Sequence, residues 1–386
     1  MSNLLDKASV ILTPTAYNTS EALCVKPSDG TGDFDFSRAT KATRINSLGL
    51  VETIDTNLPR INYEGGCGSW LWEPQSTNLF EYSEDLSNSY WSDFGTEVSR
   101  NLNASQINPS GTAGSYELEG VGGLRRFGIF LTVTPSTDYT LSFYAKNIDA
   151  TLLKALFTNS SVTTYTYTSE VNTTDWSRVE INFTTLTGTS TSVQILRDLP
   201  IGESAYFWGL MLEEQSFITS YIESSGSSTT RNQDLCTNGG SVASINNTEG
   251  TLYFEGSALV NGGSTRIISL SDGTNNNLIY ISFDATASRF SGFARGGGGT
   301  YTTVLTNGIN QTNNNKVALV WDAANFRIWI NGTEQATATI NNLPIEMNIL
   351  NFTSPTGADF FFGNTKCVAV WKEALTDAEL TSLTTI

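Results

Sequence analysis

The sequence predicts an all-β protein: a small loop-rich N-terminal element, two β-sandwich domains after it, and one short C-terminal helix. Three observations carry this reading. Long stretches alternate apolar and polar residues with a period of two, the mark of a half-buried strand. These stretches recur at short intervals with Gly, Pro and Asn between them, as the turns of a sandwich require. Only 15% of the 386 residues are charged, and Thr, Ser, Asn and Gly fill the surface instead, which suits strands and tight turns. Hydrophobic residues reach 39% and aromatics 11%, enough to fill real cores.

Residues 1–81 hold few long alternating runs. Turns rich in Gly and Asp at 28–33 and 64–68 separate short strands at 34–38, 43–45, 50–52 and 70–72. So little apolar sequence predicts an attachment or oligomerisation element rather than an independent core. The apolar Trp70, Leu71 and Trp72 beside glycine-rich turns are its expected subunit contacts. Arg38, Arg44 and Arg60 offer forks of donors to turn carbonyls and to Asp33, Asp35 or Glu52, so they read first as structural pins and second as a ligand site. Asp29, Asp33 and Asp35 invite comparison with a calcium loop but lack the EF-hand spacing and its terminal glutamate.

The domain at 82–225 alternates most clearly at 137–146 and 175–184. The second strand would point Trp176, Ile181 and Phe183 inward, with Val179 or Arg178 between them. The apolar run Tyr206, Phe207, Trp208, Leu210, Met211, Leu212 closes the sandwich as a buried strand. The Ser/Thr/Gly-rich tail after it opens a linker over 226–247. The last domain, 248–386, begins with a strand at 250–256. A hairpin turn at 271–274 joins strands 267–270 and 277–283, and further strands at 316–321 and 325–330 flank a second turn. Thr376 as N-cap with Glu379 three residues on forms a capping box, so a short helix ends the chain.

Composition excludes several functions. The formal net charge of −17 argues against nucleic acid and against an anionic membrane, both of which need a basic face. There is no histidine, which removes His-based triads and His-ligated metals. Cys24, Cys67, Cys236 and Cys367 show no CxxC pairing and read as small buried hydrophobes in a reducing compartment. The N-terminus lacks the basic, then apolar, pattern of a signal peptide, and no run is long enough to span a membrane. Glu117 and Glu119 alternate on one strand as the best candidate pair for glycoside hydrolysis, but read more simply as a solvated surface. Gly296 to Gly299 precede no Gly-Lys-Ser/Thr, so they form a loop and not a phosphate cradle.

Three resemblances refine the picture. The succession Asp33-Phe34-Asp35-Phe36-Ser37-Arg38-Ala39-Thr40 with Thr43-Arg44-Ile45-Asn46, then Gly49-Leu50-Val51-Glu52, Asn57-Leu58-Pro59-Arg60 and Trp72-Glu73-Pro74, resembles the opening of bacteriophage tail-fibre and receptor-binding proteins. The stretch at 139–146, Trp176 to Thr184, and the strand around Trp208-Gly209 resemble carbohydrate-binding modules of jelly-roll form. The continuation Leu212-Glu213 and Thr219-Ser220-Tyr221-Ile222 also resembles a phage virion sequence, with Gln215 or Ser216 where that family has glycine. The runs 317–322, 327–334 and 368–380 resemble concanavalin A-like, laminin G-like domains.

These resemblances imply a phage virion structural protein, a tail fibre, receptor-binding protein or head fibre. It would be made in the host cytoplasm, assembled as a homotrimer with other virion proteins, and would recognise a host cell-surface glycan without chemistry. Arg38, Arg44, Arg60, Glu73 and Trp208 would serve as structural motif residues. A glycan-degrading depolymerase and a purely structural decoration protein are the alternatives. The expected glycan site lies in the last domain at Asn275, Asn276, Asn277, Arg295, Tyr301, Asn313 and Asn314, because amides donate and accept at once, Tyr301 adds a ring face and Arg295 a charged donor. In the jelly roll, Tyr116, Phe130, Tyr165, Tyr167 and Trp208 are the aromatics available to stack on a sugar. No cofactor is implied, apart from calcium as a weak assistant.

Overall fold

A computed structural model describes residues 2–92, 94 and 97–386. The regular structure of the described chain is almost all strand, and the chain divides into two compact units. The first gathers Met1–Gly49, Ile54–Pro74 and Asn232–Ile386; the second gathers Leu50–Thr53 and Gln75–Arg231.

The first unit is a sandwich of two large antiparallel sheets. One has eight strands, running Thr333–Thr339, Asn325–Ile330, Asn315–Trp321, Gly250–Ala258, Gly363–Trp371, Ser69–Trp72 and Ile61–Asn62, with Val10–Leu12 also paired to Gly363–Trp371. The other has five, in the order Thr302–Asn307, Arg289–Arg295, Leu278–Phe283, Arg266–Ser271 and Ile349–Asn351. Alternation decides what lies between them. Leu252, Phe254, Val317, Leu319 and Trp321 from the first sheet meet Ile268, Leu270, Ile279, Ile281 and Phe283 from the second. The opposite face of the eight-stranded sheet, with Tyr253, Val320, Trp329 and Trp371, is covered by Leu375, Leu380 and Leu383 and by Leu4 and Ala8 from the N-terminus. The helix Asp377–Thr384 carries the expected capping box of Thr376 and Glu379. A helix at Ser2–Lys7 was not legible from the sequence; the Trp371 Nε1 donates to the Leu4 carbonyl at 2.9 Å.

The N-terminal segment is thus part of this sandwich. Trp70 pairs with Thr365 and Trp72 with Gly363. Their rings stack 5.6 Å apart, and Trp70, Leu71 and Trp72 are all buried. Buried within the unit, with Trp70 and Trp72 in its core, they are not available as the subunit contacts expected of them. A smaller sheet, Tyr17–Asn18, Glu21–Ala22, Phe34–Ser37 and Leu235–Thr237, adds Phe34 and Phe36 to the same core. Residues 235–237 fall within the expected linker over 226–247 and form instead a paired strand with Cys236 buried.

Beside that strand sits a cluster of buried ions. Arg38 Nη1 donates to Asp234 Oδ1 at 2.9 Å, Arg60 Nη2 donates to Asp234 Oδ2, and Arg60 Nη1 lies 2.7 Å from Glu73 Oε2. Arg38 also donates to the carbonyls of Thr40 and Asp55, and Arg60 to that of Thr43. Burial pulls the Arg60 guanidinium down, but the Asp234 and Glu73 charges outweigh it and hold its pKa above the ordinary value. Arg44, half-buried, donates to the Ile61 carbonyl at 3.3 Å. Arg38, Arg44 and Arg60 thus tie short strands and turns of this segment together.

The second unit is another sandwich. Five strands, Val98–Ile107, Ala113–Gly120, Ser204–Glu213, Asp138–Asn147 and Ser177–Thr184, face four, Arg126–Thr132, Ser190–Arg197, Lys154–Phe157 and Thr164–Thr166. Val179, Ile181 and Phe183 point into its core as the alternation predicts. Trp176 does not; it is half-buried outside, 6.5 Å from the Tyr206 ring, with its Nε1 donating to the Ile107 carbonyl. The strand Ser204–Glu213 changes register against Asp138–Asn147 at Gly209, whose φ of +65° favours glycine. Phe207 and Leu210 then both reach the core, while Trp208 turns outward under the Tyr221 ring at 4.7 Å. The Ser/Thr-rich tail is ordered as well: Thr229–Arg231 pairs with Ser76–Asn78.

Candidate functional site

The five-stranded sheet of the first unit places two loops side by side at one end. Leu278 pairs with Arg295, so the turn before Leu278 and the loop after Arg295 emerge together. Arg295 holds them. Its Nε donates to the Gly299 carbonyl, its Nη1 to that of Asn275 and its Nη2 to that of Gly298, each at 2.8 Å. Its guanidinium also lies 4.8 Å from the centre of the Tyr301 ring. The loop needs its glycines: a Cβ on Gly296 would meet the Leu343 carbonyl at 2.1 Å, and Gly298 has φ of +69°.

Asn277 is buried and occupied. Its Nδ2 donates to Asp272 Oδ2 at 2.8 Å, and its Oδ1 accepts from the amides of Gly297 and Ile345. Burial works against the Asp272 carboxylate, yet bonds from Asn277 and Thr274 keep its pKa below the ordinary value. Asn275 and Asn276 are exposed, and the Tyr301 ring is 39% exposed. The ring braced by Arg295 and the two exposed amides are among the groups that a ligand can reach at this end.

Behind Tyr301 runs a row of rings on the outer face of the sheet. Tyr301 meets Phe293 edge-on at 6.1 Å, and Phe293 stacks on Tyr280 at 4.8 Å. Burial, with Tyr301 and Asp284 nearby, pushes the Tyr280 phenol up, so it stays neutral. Farther along the face, Asp284 accepts from Ser282, Ser291 and Arg289 at 2.6–2.8 Å. The sequence reading missed Tyr280 and Phe293, although period-two counting along 278–283 and 289–295 puts both on the face of Arg295.

The site residues expected together are not all together. Asn313 and Asn314 lie at the other end, where Arg289 pairs with Asn307 and Ile309 bonds to Ser288. There Asn315 Nδ2 donates to the Asn313 carbonyl, and Asn314 reaches Glu255 at 3.4 Å. The structure brings Asn275, Asn276, Asn277, Arg295 and Tyr301 into one cluster and leaves Asn313 and Asn314 out of it.

In the jelly roll, Tyr167 is fully buried and bonds the Ile195 carbonyl, and Trp208 and Tyr116 are buried too. They fill and brace the unit and offer no sugar platform. Phe130 is 63% exposed and Tyr165 half-buried. Glu117 and Glu119 project from one strand, about 7 Å apart by strand geometry, and do not face each other across a cleft. Asp29 is bonded by Thr31, Asp33 by the Cys24 amide and Asp35 by Asn238. Among the described residues, no group of three or more His, Cys, Asp or Glu is arranged to hold a metal ion.

The fold defines a class: an all-β chain built of β-sandwich sheets. Residues 240–381 match the family model of the concanavalin A-like lectin/glucanases superfamily, so the chain carries a concanavalin A-like, laminin G-like domain. The strands Val10–Leu12, Ile61–Asn62 and Ser69–Trp72 that complete its sheet lie outside the matched residues. Among solved structures, the chain is similar to the Ruminococcus gnavus IT-sialidase CBM40 bound to α2,3-sialyllactose. Identity is 20% over 36% of this chain and 84% of that one, with a TM-score of 0.33. The leech intramolecular trans-sialidase is 19% identical over 39% of this chain and 26% of that one, TM-score 0.33. The tandem CBM22 modules of Paenibacillus barcinonensis Xyn10C are 10% identical over 78% and 99%, TM-score 0.29. No curated protein matches the sequence.

Proposed function

We propose that the chain is a structural protein of a phage virion, a tail fibre, receptor-binding protein or head fibre, that binds a host surface glycan through its concanavalin A-like domain without acting on it chemically. The observation that carries the glycan reading is the exposed Tyr301 ring, braced by Arg295 beside the exposed Asn275 and Asn276. A ring face suits the CH side of a pyranose and amides suit its hydroxyls. Arg295 acts here as the brace, since all three of its donor groups already serve the loops. The virion reading rests on the ordered N-terminal motif from Asp33 to Pro74, and with it go a homotrimer, other virion proteins as partners and the virion as location.

Affinity per site is about millimolar, roughly 4 kcal/mol, and display on a trimer raises it by avidity. The test uses the full chain, because residues 248–386 alone lack the strands Val10–Leu12 and Ser69–Trp72 and their buried tryptophans. On a glycan array and in host-cell pull-down, wild type binds and Tyr301→Ala loses most of the signal. Binding that survives Tyr301→Ala and Asn276→Ala together would remove the site. Antibodies that bind the protein yet leave adsorption untouched would favour a decoration role. Release of reducing ends from host polysaccharide would turn the reading to a depolymerase.

A further inference from the structure

The outer face of the four-stranded sheet in the second unit carries a different combination of groups. Pairing fixes its rows. Phe130 lies opposite Ser192, Gly128 opposite Gln194, and Arg126 opposite Arg197, while Gln194 also faces Leu156 on the next strand. Ile129, Val193, Ala155 and Phe157 point inward, so the residues between them point out. One end of this face is aromatic: Phe130 is 63% exposed and meets the Phe94 ring edge-on at 5.1 Å.

The middle is an amide. Gln194 is only 4% exposed, its Nε2 donates to Ser192 Oγ at 3.0 Å, and its Oε1 has no hydrogen-bond partner. An acceptor withdrawn from water with no donor is a cost that a ligand hydroxyl would remove. Gly128, directly opposite, adds no side chain over it.

The other end is basic. Lys154 Nζ lies 2.8 Å and Arg197 Nε 3.0 Å from Asp198, with Arg126 nearby. Burial works against the Asp198 carboxylate, but Lys154, Arg197 and Arg126 outweigh it. Three cations share one carboxylate, and the Nε of Arg126 has no partner. A cationic spot is conspicuous on a chain of net charge −17. From Phe130 to Arg126 along the strand is about 13 Å, the reach of a short oligosaccharide and not of a single small ion.

We propose that this face is a second carbohydrate site, selective for a saccharide bearing a carboxylate: a sugar ring rests on Phe130, a hydroxyl donates to Gln194 Oε1, and the carboxylate meets Arg126 at the basic end. Arginine presents paired donors to a planar carboxylate, and a ring face beside polar groups fits a pyranose. The site shares no residue with the Tyr301 cluster and does not rest on it.

The experiment is calorimetric titration of the full chain with trigalacturonate and, as the neutral probe, maltotriose. Trigalacturonate is expected to bind at least about tenfold more tightly, with an affinity that falls as salt is added. Phe130→Ala and Arg126→Gln should each weaken it about five- to tenfold, while Tyr301→Ala leaves it unchanged. Phe130→Leu, which keeps apolar bulk without a ring, should weaken it as well and guards against a misfolded alanine variant. Failure of both sugars to bind at about 10 mM, equal binding of both, or indifference to Phe130 and Arg126 would overturn the proposal. Sensitivity to Tyr301 in place of Phe130 would also overturn it and assign the ligand to the other unit.

Discussion

Asp234 in the first unit and Glu213 in the second are both carboxylates withdrawn from water, and they are held in opposite ways. Asp234 sits against Arg38 and Arg60, with the Glu73 amide as a third donor. Glu213 is served mainly by neutral groups, the Ser76 hydroxyl at 2.6 Å, the Thr219 amide at 3.1 Å and Gln215 Nε2 at 2.9 Å, with Arg231 a lesser influence. Each carboxylate ties distant chain together: Asp234 joins residues 38, 60 and 73, and Glu213 joins 76 and 219. Loop-rich segments bury few apolar groups, so each unit fixes its irregular parts with a polar knot. A knot of full charges is costly to break because removing one partner strands the others, whereas a knot of neutral donors leaves hydroxyls and amides that re-pair easily.

Asp234→Ala removes the centre of the charged knot. It leaves Arg38 and Arg60 buried without that carboxylate and should destabilise the first unit by about 3–5 kcal/mol. Hydrogen exchange should rise in Val10–Leu12, Ser69–Trp72 and Leu235–Thr237 and remain unchanged in Asp138–Asn147. A loss below about 1 kcal/mol would place Asp234 with surface ion pairs and end the contrast.

Trp72→Ala tests whether the N-terminal strand truly belongs to that core. Trp72 is 1% exposed and touches Trp70, Phe36 and Phe352, so its loss should cost about 3–5 kcal/mol. If Trp72 were instead a contact between subunits, the substitution would change light scattering and leave the exchange of Gly363–Trp371 alone.

These two residues also show where sequence reading stops. The strand at 69–72 is legible, since apolar residues run between glycine turns. Its partner, Gly363–Trp371, lies almost 300 residues on, and nothing local in either stretch names the other. The same limit hid Asp234, in a stretch whose Ser/Thr/Gly content suggested a linker. By contrast, Asp138–Asn147, Ser177–Thr184, Asn325–Ile330 and the Thr376 cap follow from period and capping chemistry alone. The site was half legible for the same reason. Asn275, Asn276, Arg295 and Tyr301 converge because Leu278 and Arg295 are paired, and Asn313 and Asn314 resemble them in composition but leave the sheet at its other end.

The smallest expected effect concerns pH. Burial pushes the Glu213 carboxyl above the ordinary glutamate value of 4.5, and the bonds from Ser76 and Thr219 offset this only in part. The native state therefore keeps its proton at pH values where the unfolded chain has released it. Stability from this group is fully present below pH 4.5 and is lost as pH rises through the folded value. Glu84 in the same unit is shifted the same way by burial, so the wild-type slope reports both groups. Glu213→Gln removes one of them while keeping an amide to pair with Ser76 and Thr219. It should flatten the fall in stability above pH 4.5, costing little at neutral pH and losing ground to wild type only in acid. Asp234→Asn should instead destabilise at neutral pH, since it leaves Arg38 and Arg60 buried without that carboxylate. If Glu213→Gln proves as damaging at pH 7 as Asp234→Asn, Glu213 is held as an ion after all, and the two knots are built alike.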